Sequence, residues 1–114
     1  MIRKYFSLLI WFTILSCNSN EQITALLNSN VKDDIILGSN KAGESGKKQF
    51  IPLLLKNAAD ERRSTNFNFK GVTVYQAKMD ALRKIFKKEP PVKITYKLDS
   101  TIIKFYIQLS TSIE

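Results

Sequence analysis

The sequence predicts an all-α domain built as a short stack of helices. Three observations carry that prediction. Apolar residues recur in steps of three and four over three separate stretches, which is the spacing that places side chains on one face of a helix. Clusters of Gly, Asn and Pro fall between those stretches, where chain reversals are needed. The stretch after Gly71 keeps its period longest and ends at a Glu-Pro-Pro break. An α+β domain with a C-terminal β-hairpin is the alternative, because the tail fits two patterns.

Taken in order, Ile23, Leu27, Val31, Ile35, Gly38 and Ala42 form one apolar stripe. Asn28-Ser29-Asn30 is expected to divide it into two helices. Asn30 suits the N-cap of the second, and Asp33 and Asp34 suit the positive end of its dipole. Gly43-Glu44-Ser45-Gly46 then reads as a turn. Lys47 to Asp60 reads as the next helix, with Phe50, Leu54 and Ala58 on one face and Ile51 and Leu55 beside them. Pro52 must lie in its first turn, where a missing N–H costs nothing.

Glu61 to Gly71 is polar apart from Phe67 and Phe69, and reads as an ordered loop whose phenylalanines close over the core. From Val72 the helical period returns. Tyr75, Met79, Leu82 and Phe86 form a row with Ala81 and Ile85 beside it, and Glu89-Pro90-Pro91 ends the helix. In the tail, Val92, Ile94, Tyr96 and Leu98 alternate like a strand, with Ile103, Phe105, Ile107 and Leu109 as a possible partner. Ile102, Phe105, Tyr106 and Leu109 equally form a helical stripe, with Asp99 or Ser100 as cap. Pattern alone leaves the two open.

Composition removes several kinds of chemistry. The chain has 114 residues, no histidine and a single cysteine. Histidine-based triads, histidine-ligated zinc and intramolecular disulfides are therefore excluded. Eighteen basic residues against ten acidic give a formal charge of +8, so the surface is cationic.

At the N-terminus, Arg3 and Lys4 precede an apolar run from Tyr5 to Leu15 that stops at Ser16. A spanning helix needs about 20 apolar residues, so the run reads as a secretory leader rather than a permanent anchor. Its end, Ile14-Leu15-Ser16-Cys17, resembles the lipobox of bacterial lipoproteins. That resemblance implies cleavage before Cys17, a diacylglycerol on its sulfur and acylation of the new N-terminus with a chain such as palmitate. Several acyl chains together hold a protein firmly at a bilayer, whereas one alone holds marginally. The organisation expected is a leader at 1–16, a lipidated tether at 17–22 and a helical domain at 23–114. Loss of Arg3 and Lys4 lowers the formal charge from +8 to +6. Asn18 is not the aspartate associated with inner-membrane retention, so the resemblance favours the outer membrane, and with no acidic run directly after Cys17 to support surface display the periplasmic side is favoured.

A second resemblance concerns the domain itself. Shifting the sequence by 39 residues brings Ala42-Gly43 opposite Ala81-Leu82 and Ile36 opposite Tyr75. The order helix, Ala-Gly-Glu-Ser-Gly, Phe-Ile-Pro-Leu-Leu-Leu and Asn-Ala-Ala-Asp resembles a HEAT repeat, and Tyr75 to Ile85 looks like the first helix of a second unit. The resemblance covers Val31 to Ile85. It implies that the tail from Asp99 supplies the missing partner helix, which favours the all-α reading, and it implies a binding or scaffolding role. Two units are few for such an array, so the tail is expected to cap the stack.

Candidate chemistry is sparse. Gly43 to Lys48 has the look of a phosphate loop, but Lys41 stands where the first glycine belongs and Lys48 where Ser or Thr does. Lys78, Arg83, Lys84, Lys87 and Lys88 cluster on the outer face of the 72–88 helix and are the candidates for contact with an anionic surface. Asp80 is spaced to pair with Lys84. Nucleic acid would be attracted to such charge but is not an expected partner of an exported lipoprotein. Asp60-Glu61-Arg62-Arg63 reads as an ion cluster at a turn. The acids Asp33, Asp34, Glu44, Asp60, Glu61, Asp80, Glu89 and Asp99 show no catalytic pairing, and Ser39, Ser45 and Ser64 have no histidine to activate them. No enzyme activity, cofactor or metal is expected. The function expected is a lipid-anchored envelope module that binds a protein or an anionic partner; the alternative is an envelope hydrolase or glycan-processing lipoprotein using carboxylates.

Overall fold

The computed structural model describes residues 19–112, and these form five helices. The expected leader and Cys17 lie outside the described residues. Helix α1 covers residues 19–27, so the segment expected as a polar tether is already helical at residue 19. Then come α2 (Lys32–Ser45), α3 (Ile51–Leu55), α4 (Val74–Phe86) and α5 (Ser100–Ser112). No strand occurs among the described residues, which settles the tail in favour of helix. Ile102 and Tyr106, one helical turn apart, are both fully buried.

The break between α1 and α2 falls where Asn28-Ser29-Asn30 placed it, but the capping differs. Val31 occupies the N-cap position and offers no side-chain acceptor. Ser29 does the work instead: its hydroxyl accepts from the Val31 amide at 3.0 Å and donates to Asp34 Oδ2 at 2.9 Å. Helix α2 runs on through the expected turn to Ser45. Gly46 ends it in the left-handed region (φ 67°), its amide donating to the carbonyls of Ala42 and Gly43, as a helix C-terminus requires.

Helix α3 is much shorter than the fourteen-residue stretch the apolar spacing suggested. Pro52 lies in its first turn as expected. The helix then stops at Leu55, because Lys56 is extended and Asn57 is left-handed (φ 52°). Ala58 still reaches the core from the turn that follows.

Helix α4 is the centre of the molecule, with eight of its thirteen residues buried. Its N-terminus is completed by the preceding loop. The amides of Val74 and Tyr75 donate to the carbonyls of Arg62 and Asp60 at 3.0 and 2.8 Å, and the Gln76 amide donates to the Thr73 hydroxyl at 3.1 Å. Three of the four amides a helix start leaves unpaired are thereby satisfied. Ser64 N–H to Val72 C=O (2.9 Å) closes the loop on itself. Within that loop only half of the expected lid exists. Phe69 packs with Val72 against the smaller core cluster, whereas Phe67 is 92% exposed.

Two sides of α4 do different work. Its N-terminal Val74 and Ala77 pack with Ile35 and Ile36 of α2, and further along Ala81 and Lys84 lie against Gly43. Early residues meet early residues and late meet late, so α2 and α4 run side by side in the same direction. Tyr75, Met79 and Leu82 face the main core with Phe50, Leu54, Ile102 and Tyr106. Burying each large side chain there contributes roughly 1.5–3 kcal/mol.

Between α4 and α5, residues 88–99 form a strap rather than a strand. Its two ends are held by buried tyrosines. The Tyr106 hydroxyl donates to the Lys88 carbonyl at 2.9 Å, and the Asp99 amide donates to the Tyr75 hydroxyl at 3.2 Å. Ile94 packs inward while Val92 and Tyr96 are about half exposed, so the alternating residues do not share one buried face. The Tyr96 ring lies 4.5 Å beneath the Arg63 guanidinium, a cation–π contact.

Candidate functional site

Lys78, Arg83, Lys84, Lys87 and Lys88, expected to share one outward face of a helix over 72–88, are divided by the structure. Lys78 is an interior residue, 3% exposed, and does not lie on the outward face expected for it. Its position explains this: three residues after Tyr75 and four before Leu82, it lies on the apolar stripe itself. Arg83 is held by Asp80 at 2.6 Å and by Glu89 at 3.4 Å, and Lys84 reaches Asp80 at 3.6 Å. Lys87 and Lys88 are exposed just beyond the helix end.

Lys78 instead lines a cleft of about 150 Å³. The α1–α2 turn forms one wall through Asn28, Ser29 and Asn30, and the end of α3 forms another through Lys56 and Asn57. The Asp60–Arg62 bend closes the third side. That bend is positioned by the α4 capping bonds described above, since the carbonyls of Asp60 and Arg62 are the ones that receive the first α4 amides.

Within the cleft, the Lys78 ammonium donates to the Lys56 carbonyl at 2.6 Å. This oxygen follows the last turn of α3, where a carbonyl lacks a helical partner. An ammonium carries three donors, and among the described residues this is the one hydrogen bond it makes. Burial lowers its proton affinity below the ordinary lysine range, and the charge of Asp60 opposes that shift.

Among the described residues Asp60 makes its ion pair with Arg62 rather than with Lys78. Arg62 grips both carboxylate oxygens, Nε to Oδ1 at 3.0 Å and Nη2 to Oδ2 at 2.7 Å. The Arg62 amide adds a bond to Oδ1 at 3.0 Å. The guanidinium hydrogen bonds hold the Asp60 carboxyl below the usual carboxylate range. Arg62 Nη1 also donates to the Asn30 carbonyl at 2.9 Å, tying the bend to the α1–α2 turn. The ion cluster read at Asp60–Arg63 thus forms between Asp60 and Arg62, while Arg63 turns to Tyr96.

Among the described residues no three potential metal ligands come together, and no helix is long and apolar enough to cross a membrane. Gly43 to Lys48 serves as the end of α2 and the link to the next helical turn. Sequence reasoning missed the cleft. The signal that could have found it was a lysine standing in line with Tyr75 and Leu82. Comparison with protein-family models, with curated proteins and with solved structures finds no match for the chain.

Proposed function

We propose that the chain is a lipid-anchored binding or scaffold module of the cell envelope, held on the periplasmic side of the outer membrane by acylated Cys17. Its helical surface contacts a protein or an anionic envelope component. The observation that carries the reading is Ile14-Leu15-Ser16-Cys17 at the end of the apolar run from Tyr5 to Leu15. The chain's one cysteine falls where a lipobox needs it.

Three features support the remainder. Gly43 touches Ala81, 38 residues later, close to the offset of 39 at which the sequence resembles itself. Side-by-side parallel helices at such a spacing are how equivalent helices of consecutive repeats stack, which favours the HEAT-like reading. Lys84, Lys87 and Lys88 are exposed, and each basic group near an anionic membrane contributes about 1 kcal/mol.

The test is incorporation of labelled palmitate in a bacterial host, comparing the wild-type chain with Cys17→Ser. Label on the wild type and none on the variant is expected. An unlabelled wild-type chain that fractionates like the variant would overturn the anchor.

A further inference from the structure

We infer that the cleft around Lys78 is a binding site for a phosphate group. The inference does not depend on the lipid anchor, and the two can fail separately. It begins from an imbalance of charge. The lining carries three cations, Lys56, Arg62 and Lys78, against one anion, Asp60, and so has an excess of two positive charges. Asp60 is engaged by Arg62 through both of its oxygens, and among the described residues its ion pair is with Arg62 rather than Lys78. The ammonium of Lys78, 97% removed from solvent with its residue, keeps donors beyond the one given to the Lys56 carbonyl. A buried cation without a contacting anion is costly, and an anion entering the cleft relieves that cost.

Charge and size then select the ligand class. A phosphate monoester carries roughly −1.5 to −2 at pH 7, which matches the excess of two, whereas a carboxylate would leave one positive charge uncompensated. The cleft, about 150 Å³, is below the roughly 300–1,000 Å³ that encloses whole small-molecule ligands. It therefore takes the anionic head of a larger molecule and leaves the remainder outside. Asn57 and Asn28 also line the cleft, and each carries an uncharged amide donor.

The Asp60–Arg62 pair gives the proposal a directional test. Asp60→Asn removes the opposing charge and should tighten phosphate binding by roughly three- to tenfold, the effect of one nearby charge at intermediate dielectric. Lys78→Met should weaken it at least about tenfold, as expected for a charge-assisted hydrogen bond. The assay is amide NMR of the full chain in non-ionic detergent, titrated with inorganic phosphate, with Lys84→Met as a surface-charge control. Saturable shifts at Asn57, Arg62 and Lys78, tighter in Asp60→Asn and unchanged in Lys84→Met, are the expected result.

Competition by vesicles containing phosphatidate supports a lipid headgroup as the source. Binding without such competition supports a free phosphomonoester. The proposal is overturned by shifts that do not saturate, by equal weakening in Lys84→Met and Lys78→Met, or by Asp60→Asn binding no more tightly than wild type. Asp60→Asn keeps the test decisive even where Lys78→Met does not fold.

Discussion

Replacing Gly38 by alanine tests the contact between α1 and α2 in a way that helix propensity alone would misjudge. Gly38 lies inside α2, and at an ordinary helix interior glycine to alanine gains about 1 kcal/mol. Here an added methyl would meet Leu26 Cβ at 2.8 Å and the Leu27 amide nitrogen at 3.1 Å. Carbon atoms pack comfortably at about 3.5–4.0 Å, so α1 would have to retreat by roughly 1 Å. Forcing a methylene into a packed site costs about 1–3 kcal/mol, which exceeds or cancels the propensity gain. The expected outcome is a net loss of about 1 kcal/mol, read as a lower midpoint in urea denaturation followed by circular dichroism, or about 4–8 °C in Tm. Gly46→Ala separates the two effects. Nothing lies within 4 Å of its added methyl, so its cost comes from the left-handed backbone alone, about 1–2 kcal/mol. A Gly38→Ala protein more stable than wild type by the full propensity gain of about 1 kcal/mol would refute the close approach of α1 to α2.

Ser39 is fully buried and its hydroxyl has no partner among the described residues, so Ser39→Ala should stabilise the fold by about 1 kcal/mol, measured by the same denaturation. Tyr106→Phe and Tyr75→Phe each remove a bond that holds the 88–99 strap; each should cost about 1 kcal/mol, and amide hydrogen exchange should speed up across the strap. Burial depresses the Lys78 proton affinity in the folded chain. Between the folded value and the ordinary lysine range the unfolded chain binds the extra proton, so stability should rise with pH across that window. Lys78→Met should flatten the rise; an unchanged slope in that variant would place the titration elsewhere.

How much of this was legible in the sequence depended on whether local chemistry or distant contacts decided each element. Helix α4 was readable because Tyr75, Met79 and Leu82 repeat the helical period and the burial follows it. Pro52 was readable because proline fixes its own backbone geometry, whereas the turn expected over Gly43 to Gly46 is helical up to Ser45 and only Gly46 leaves the helix. The length of α3 was not, since Asn57 takes a left-handed conformation that competes with an apolar spacing continuing to Ala58. In the tail, Ile94 packs inward because tyrosines from two helices hold the strap across α4, an arrangement no local alternation encodes. Lys78 was placed outside by residue type and lies inside by register. Its acceptor, the Lys56 carbonyl, is 22 residues away, and the cleft it lines exists only once α3, α4 and the Asp60–Arg62 bend have met.

Intact-mass spectrometry of the chain extracted from membranes reads the state of the thiol at position 17. The expected species begins at Cys17 and carries the added mass of a diacylglycerol and an N-linked acyl chain. An unmodified chain of 13.1 kDa that begins at Met1 would contradict it.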